Sequence, residues 1–241
     1  MGIGSQVTAP PPGPALAEHP AIPLLDYDRV AGTVENGSAP GSMLLVHGFG
    51  GGKQQLRELG DALCPAGSEA FYPVLRAHGT SPKPAWGYSV LDFAADVHRI
   101  ADVLPERVDA VGYSYGALVS AVSAVTWGAA RIRSLVVIDQ SFEAHPERHE
   151  ADEWVEGSLL RWHYDFSHLL DVLHGLGVPV LVLGSPDSGV IGTDEEERLL
   201  ARRDALFDYR RITGSHAECY RDTEVLVPLM DEFYRTKVAG T

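Results

Sequence analysis

Two kinds of apolar pattern alternate along this chain. Met43-Leu44-Leu45-Val46, Val108-Asp109-Ala110-Val111, Ser134-Leu135-Val136-Val137-Ile138 and Val178-Pro179-Val180-Leu181-Val182-Leu183 are short, nearly continuous apolar runs of strand length. Such runs fit strands buried on both faces of a parallel sheet. Between them, apolar residues recur every three or four positions, the period of a helix with one buried face. Leu56, Leu59 and Leu63 mark a helix from Lys53 to Cys64. Val90, Ala94, Val97, Ala101 and Leu104 mark a second from about 90 to 104, with Ser89 as its N-cap. Ala117, Leu118, Ala121, Val122 and Val125 mark a third. Residues 194–204 form a charged helix, and Val225, Leu226, Leu229, Met230 and Phe233 give a last one from Asp222 to Lys237. Two further strands are expected, at Ala70–Leu75, interrupted by Pro73, and at Leu206–Thr213. Residues 22–35 read as an extended segment or hairpin ending at the turn signal Asn36-Gly37. Alternating strands and helices predict an α/β fold: a mostly parallel central sheet with helices on both faces.

The expected reactive edge of such a sheet is the carboxyl end of its strands, and the chemistry-bearing residues cluster there. Gly112-Tyr113-Ser114-Tyr115-Gly116 lies between an apolar strand and a small-residue helix and matches G-x-S-x-G. Without a Cβ, Gly112 and Gly116 allow strand and helix to pass close to a corner that projects Ser114. A serine hydroxyl is a poor nucleophile at neutral pH unless a base takes its proton. His216, in the loop after the last strand, is the candidate base. The base needs a carboxylate to fix its tautomer. Asp187, in the Ser185-Pro186-Asp187 turn after the Val178–Gly184 strand, is the leading candidate, and Asp139, at the end of the strand after the third helix, is its rival. An oxyanion would need preplaced donors. The backbone N–H groups of Phe49, in the glycine-rich loop after the Met43–Val46 strand, and of Tyr115 are the candidates.

The order His47-Gly48, then the Ser114 elbow, then Asp187, then His216 resembles the α/β-hydrolase superfamily over about residues 24–238. Arg76-Ala77-His78-Gly79-Thr80-Ser81 is similar to the family's R-G-H-G-x-S loop, with alanine in place of the usual glycine. Compact carboxylesterases and monoacylglycerol-lipase-like enzymes look most similar. The resemblance implies the α/β-hydrolase fold, structural roles for His47 and the Arg76 loop, and no cofactor. It also supports Asp187, because the family's acid usually follows the strand after the cap. The expected activity is that of a serine hydrolase cleaving a carboxylic ester through an acyl-enzyme. Thioester, lactone or carbon–carbon bond hydrolysis are alternatives, as is a receptor or scaffold that keeps the fold without the reaction.

The remaining features bound this reading. Residues 1–20, with Pro10-Pro11-Pro12-Gly13-Pro14, read as an extended N-terminal arm, and residues 21–241 as one domain with a short helical cap inserted at about 140–177. Phe142, Trp154, Leu159, Leu160, Trp162, Tyr164 and Phe166 supply apolar surface to that cap. The 241 residues carry 19 Lys plus Arg against 33 Asp plus Glu, a net charge of −14, which argues against nucleic acid or an anionic membrane as partner. No apolar run has the length of a membrane span and no secretory signal is visible. Cys64 and Cys219 read as free thiols. A cytoplasmic protein acting on a small ester or acyl substrate is therefore expected, with its oligomeric state left open. His145 and His149 stand four apart, but Pro146 interrupts the helix that would align them, so no metal site is expected.

Overall fold

In a computed structural model of the protein, the described residues are 24–35, 39–102, 104, 106–128, 130–143 and 165–239. The expected N-terminal arm, the Asn36-Gly37 turn, most of the expected cap and the His145/His149 pair lie outside them.

Among the described residues, seven strands form one sheet: β1 (Tyr27–Ala31), β2 (Met43–Val46), β3 (Glu69–Pro73), β4 (Val108–Tyr113), β5 (Ile132–Ile138), β6 (Val180–Gly184) and β7 (Phe207–Arg211). Their spatial order is β1-β3-β2-β4-β5-β6-β7. Among the described strands only β1 runs antiparallel, pairing Tyr27 with Pro73, so residues 24–35 hold one edge strand, Tyr27–Ala31, and not a hairpin. Pro73 ends β3, where a missing N–H costs least. Among the described residues the α-helices are α1 (Arg57–Leu63), α2 (Val90–Asp102), α3 (Tyr115–Ser123), α4 (His168–Gly175), α5 (Thr193–Ala201) and α6 (Thr223–Phe233), with α3 and α6 each continued by a π-helical turn. α1 is shorter than the apolar period implied, because Lys53–Leu56 form turns before it.

Side chains of each central strand alternate between two cores. Leu44, Val46, Leu135, Val137, Val180 and Val182 pack with α2, α3 and α4. Met43, Leu45, Val136, Ile138, Leu181 and Leu183 pack with α1 and α6. The near-continuous apolar runs arise from this double burial. At the α2 start, the cap runs opposite to the expectation: the Asp92 carboxylate accepts from the Ser89 N–H at 2.8 Å and from its hydroxyl at 2.5 Å. The expected cap region also contributes to the core at both ends. Phe142 is buried and α4 inserts Leu169, Leu170 and Leu173 beside α3, while Phe166 N–H donates to Phe142 O at 2.7 Å. Among the described residues no helix is long and apolar enough to cross a membrane.

One buried ion pair fixes the loop after β3. Arg76 and Asp96 are 1% and 0% exposed and joined by two bonds of 2.6 and 2.7 Å, while Arg76 also donates to the carbonyls of Gly87 and Asp92. Removing one partner strands the other charge away from water. Asp96→Ala is therefore expected to lower the unfolding free energy in urea by about 3–5 kcal/mol. A loss below about 1 kcal/mol would show that Arg76 is not held through this pair.

Candidate active site

The first residue beyond β4 is Ser114, which has a φ of 51°. Left-handed backbone is costly for a residue with a Cβ, and the surroundings hold it. Ser114 N–H donates to Ile138 O at 2.9 Å, and Ala117 N–H closes the first turn of α3 onto Ser114 O at 2.8 Å. The flanking glycines are required by space. A Cβ on Gly112 would lie 2.4 Å from Ala117 Cα, and one on Gly116 2.3 Å from His47 O. The half-buried Ser114 hydroxyl meets His216 Nε2 at 3.0 Å.

His216 Nδ1 faces Asp139 Oδ2 at 2.7 Å. Here the structure departs from the sequence expectation, which placed Asp187 against His216. Asp187 instead accepts from Gly214 N–H at 3.2 Å and is exposed, whereas the Asp139 side chain is fully buried. The physical reason is local. Asp139, the first residue beyond β5, turns at a φ of 49°, and its N–H remains in the ladder, donating to Leu183 O at 2.8 Å. That corner aims the carboxylate across the top of β6 at His216. The second oxygen, Oδ1, accepts from Ser185 N–H at 3.0 Å and from Ser188 Oγ at 2.9 Å.

Tyr113, buried beneath the site, donates its hydroxyl to His216 O, and its ring lies 5.0 Å from the imidazole. Cys219 Sγ is 3.6 Å from the same carbonyl. Burial pushes this thiol up to about 12, and also raises the Tyr113 phenol, so both remain protonated near neutral pH. The Ser114–His216–Asp139 chain therefore has no competing anion among these two neighbours.

The loop after β2 is held by two imidazoles used in the same way. His47 Nε2 accepts from Leu75 N–H at 3.0 Å, so its proton sits on Nδ1, 2.7 Å from Gly48 O. His78 Nε2 accepts from Gly50 N–H at 3.0 Å, with Nδ1 2.9 Å from Arg76 O. Gly48 N–H goes to Gln55 Oε1 at 2.8 Å and Gly51 N–H to Gly48 O at 3.0 Å. Within residues 48–51, Phe49 N–H is thus the one with no protein acceptor among the described residues. Ala77 takes a φ of 62°, which accounts for glycine being usual at that place in the loop the sequence resembles. Among the described residues, no group of three or more His, Cys, Asp or Glu side chains is placed to hold a metal ion.

Sequence reasoning did not anticipate Ser185, Ser188, Gln55 or the Tyr113 hydroxyl. Only the Ser185-Pro186-Asp187 turn carried a signal, and it pointed to Asp187.

With this geometry in place, the comparisons with known proteins agree on the fold. A family model for the alpha/beta hydrolase fold matches residues 41–172, and the chain belongs to that family. No curated protein matches it in sequence. A thermophilic esterase from Thermogutta terrifontis superposes with a TM-score of 0.66 at 17% identity, covering 89% of this chain and 94% of the other. The thioesterase domain from the curacin biosynthetic pathway gives 0.64 at 16%, covering 85% and 94%. An alpha/beta hydrolase from Novosphingobium aromaticivorans gives 0.69 at 16%, covering 88% and 94%. At these identities the likeness is one of fold.

The histidine that ties Gly48 to Leu75 makes stability depend on pH. Burial lowers His47 to about 4 from the usual 6.5. The unfolded chain therefore takes up a proton near pH 6.5 that the folded chain refuses until about pH 4. Stability is complete above 6.5 and is lost as the pH falls towards 4, by about 3 kcal/mol in all. Between pH 7 and pH 5, urea unfolding of the wild type is expected to lose ~2 kcal/mol more than that of His47→Gln. Equal losses in the two proteins would contradict a neutral His47.

Proposed function

We propose that the protein is a serine hydrolase that cleaves a carboxylic ester of modest size through an acyl-enzyme. The observation carrying this reading is the unbroken relay from Ser114 Oγ to His216 Nε2 at 3.0 Å and from His216 Nδ1 to Asp139 Oδ2 at 2.7 Å. A hydroxyl, an imidazole and a buried carboxylate in this order make a nucleophile, its general base and the group that fixes the base's tautomer.

In the first step Ser114 Oγ attacks the ester carbonyl carbon while His216 Nε2 takes its proton. Asp139 holds the other proton on Nδ1 and offsets the imidazolium charge without taking that proton. The oxyanion forms beside Phe49 N–H and Tyr115 N–H. Support for Phe49 comes from its neighbours, whose N–H groups are all committed. Support for Tyr115 is its place as the first residue of α3, directly after the nucleophile. Each such donor is worth about 10²–10³ in rate. His216 then returns the proton to the departing alkoxide. Water, deprotonated by His216, attacks the acyl carbon, and collapse of that second intermediate returns the proton to Ser114 and frees the acid. The small-molecule substrate and the absence of a cofactor follow from this chemistry.

A fluorophosphonate probe followed by p-nitrophenyl esters of rising chain length tests the reading. Labelling of the wild type is expected to vanish in Ser114→Ala and His216→Ala. Folded wild type that neither labels nor turns over any ester would overturn it. Assignment of the acid is tested separately. Asp139→Asn is expected to lower kcat by roughly 10³–10⁴. Asp187→Asn, which keeps an oxygen facing Gly214 N–H, is expected to lower it less than about tenfold. The reverse ranking would return the acid to Asp187.

A further inference from the structure

We infer that the Ser185–Ser188 turn is the positioning element of the site, and that Ser188 is the positioning residue that fixes the Asp139 carboxylate; this rests on the serine-hydrolase reading above. The turn grips both halves of the His–Asp pair at once. On one side, Ser185 N–H and Ser188 Oγ both donate to Asp139 Oδ1, at 3.0 and 2.9 Å. On the other, Ser185 Oγ donates to Gly214 O, and Asp187 Oδ2 accepts from Gly214 N–H at 3.2 Å. Gly214 lies two residues before His216, at a φ of 97° that glycine adopts without strain. One short turn therefore sets the separation between the carboxylate and the imidazole.

Ser188 has a single hydroxyl proton and two acceptors, Asp139 Oδ1 and Ser185 O, each at 2.9 Å. A carboxylate is the stronger acceptor, so the proton goes to Asp139. Val190 N–H donates to the Ser188 oxygen at 3.1 Å and holds the hydroxyl in that direction. With Oδ1 held by two donors, the carboxylate cannot rotate away from His216. Its charge is also drawn towards Oδ1, which keeps the shared proton on the imidazole. Tyr113 and Cys219, the other titratable side chains described against His216, bond to its backbone carbonyl, with the Cys219 thiol also facing the Asp139 carboxylate, and leave both ring nitrogens to Ser114 and Asp139.

The role predicts effects that loop packing alone would not give. Ser188→Ala is expected to lower kcat for the best p-nitrophenyl ester about tenfold, the value of one hydrogen bond to a charged group, with KM unchanged. Loss of the Oδ1 donor returns charge to Oδ2, so the acid limb of the kcat/KM profile should move to higher pH. Ser188→Thr, which keeps the hydroxyl, should restore both kcat and the limb. Wild-type kcat and an unmoved limb in Ser188→Ala would overturn the inference and leave the serine-hydrolase reading standing. Equal losses in the Ala and Thr variants with an unmoved limb would also overturn it, marking Ser188 as packing. A folded wild type inert to the fluorophosphonate probe and to esters would overturn the underlying reading instead.

Discussion

The site depends on the register of three adjacent parallel strands. Tyr113 pairs with Ile138, and Ile138 with Leu183, so β4, β5 and β6 end nearly level. Ser114 and Asp139 are the next residues after the first two, and Ser185 follows β6. Each is drawn into the ladder or onto its neighbour: Ser114 N–H to Ile138 O, Asp139 N–H to Leu183 O, and Ser185 N–H to the Asp139 carboxylate. A sheet edge built this way places polar side chains within reach of one another without any loop having to find its place independently. His216 arrives from the next strand over, after β7, and is secured by Tyr113 and Cys219 from beneath and by Asp139 from the side.

The same backbone device is used twice. Ser114 and Asp139 both leave their strands through left-handed backbone, at φ 51° and 49°. At Ser114 the flanking glycines announce the corner, because strand and helix must approach closely there. At Asp139 no glycine flanks the corner, because the residue itself tolerates this region better than most. The corner that aims the Asp139 carboxylate at His216 is therefore silent in the sequence. This explains why the turn signal at Ser185-Pro186-Asp187 drew attention to Asp187, whose oxygen serves Gly214 N–H instead.

The fold was legible for a related reason. Burial of the central strands on both faces leaves a mark in composition, and each of the four apolar runs became a strand of the parallel sheet. Boundaries were less legible where local chemistry overrides periodicity. Turns at Lys53–Leu56 shorten α1, and Asp92 rather than Ser89 supplies the capping acceptor for α2. The meeting of Ser114 with His216 was legible because a glycine pattern and a position after the last strand each constrain a short segment. The hydrogen-bonding shell around them was not. Ser188, Gln55 and the Tyr113 hydroxyl act across 49, 7 and 103 positions of chain, and only the folded sheet brings those partners together.

The hydrogen bond from His216 to Asp139 holds the relay together. Low-field proton NMR of the His216 Nδ1–H reads that bond directly, because a ring proton shared with a carboxylate is strongly deshielded. A deshielded resonance is predicted in the wild type and in Asp187→Asn, and its loss is predicted in Asp139→Asn and in His216→Gln. A resonance that survives in Asp139→Asn and disappears in Asp187→Asn would contradict that bond and place the partner at Asp187.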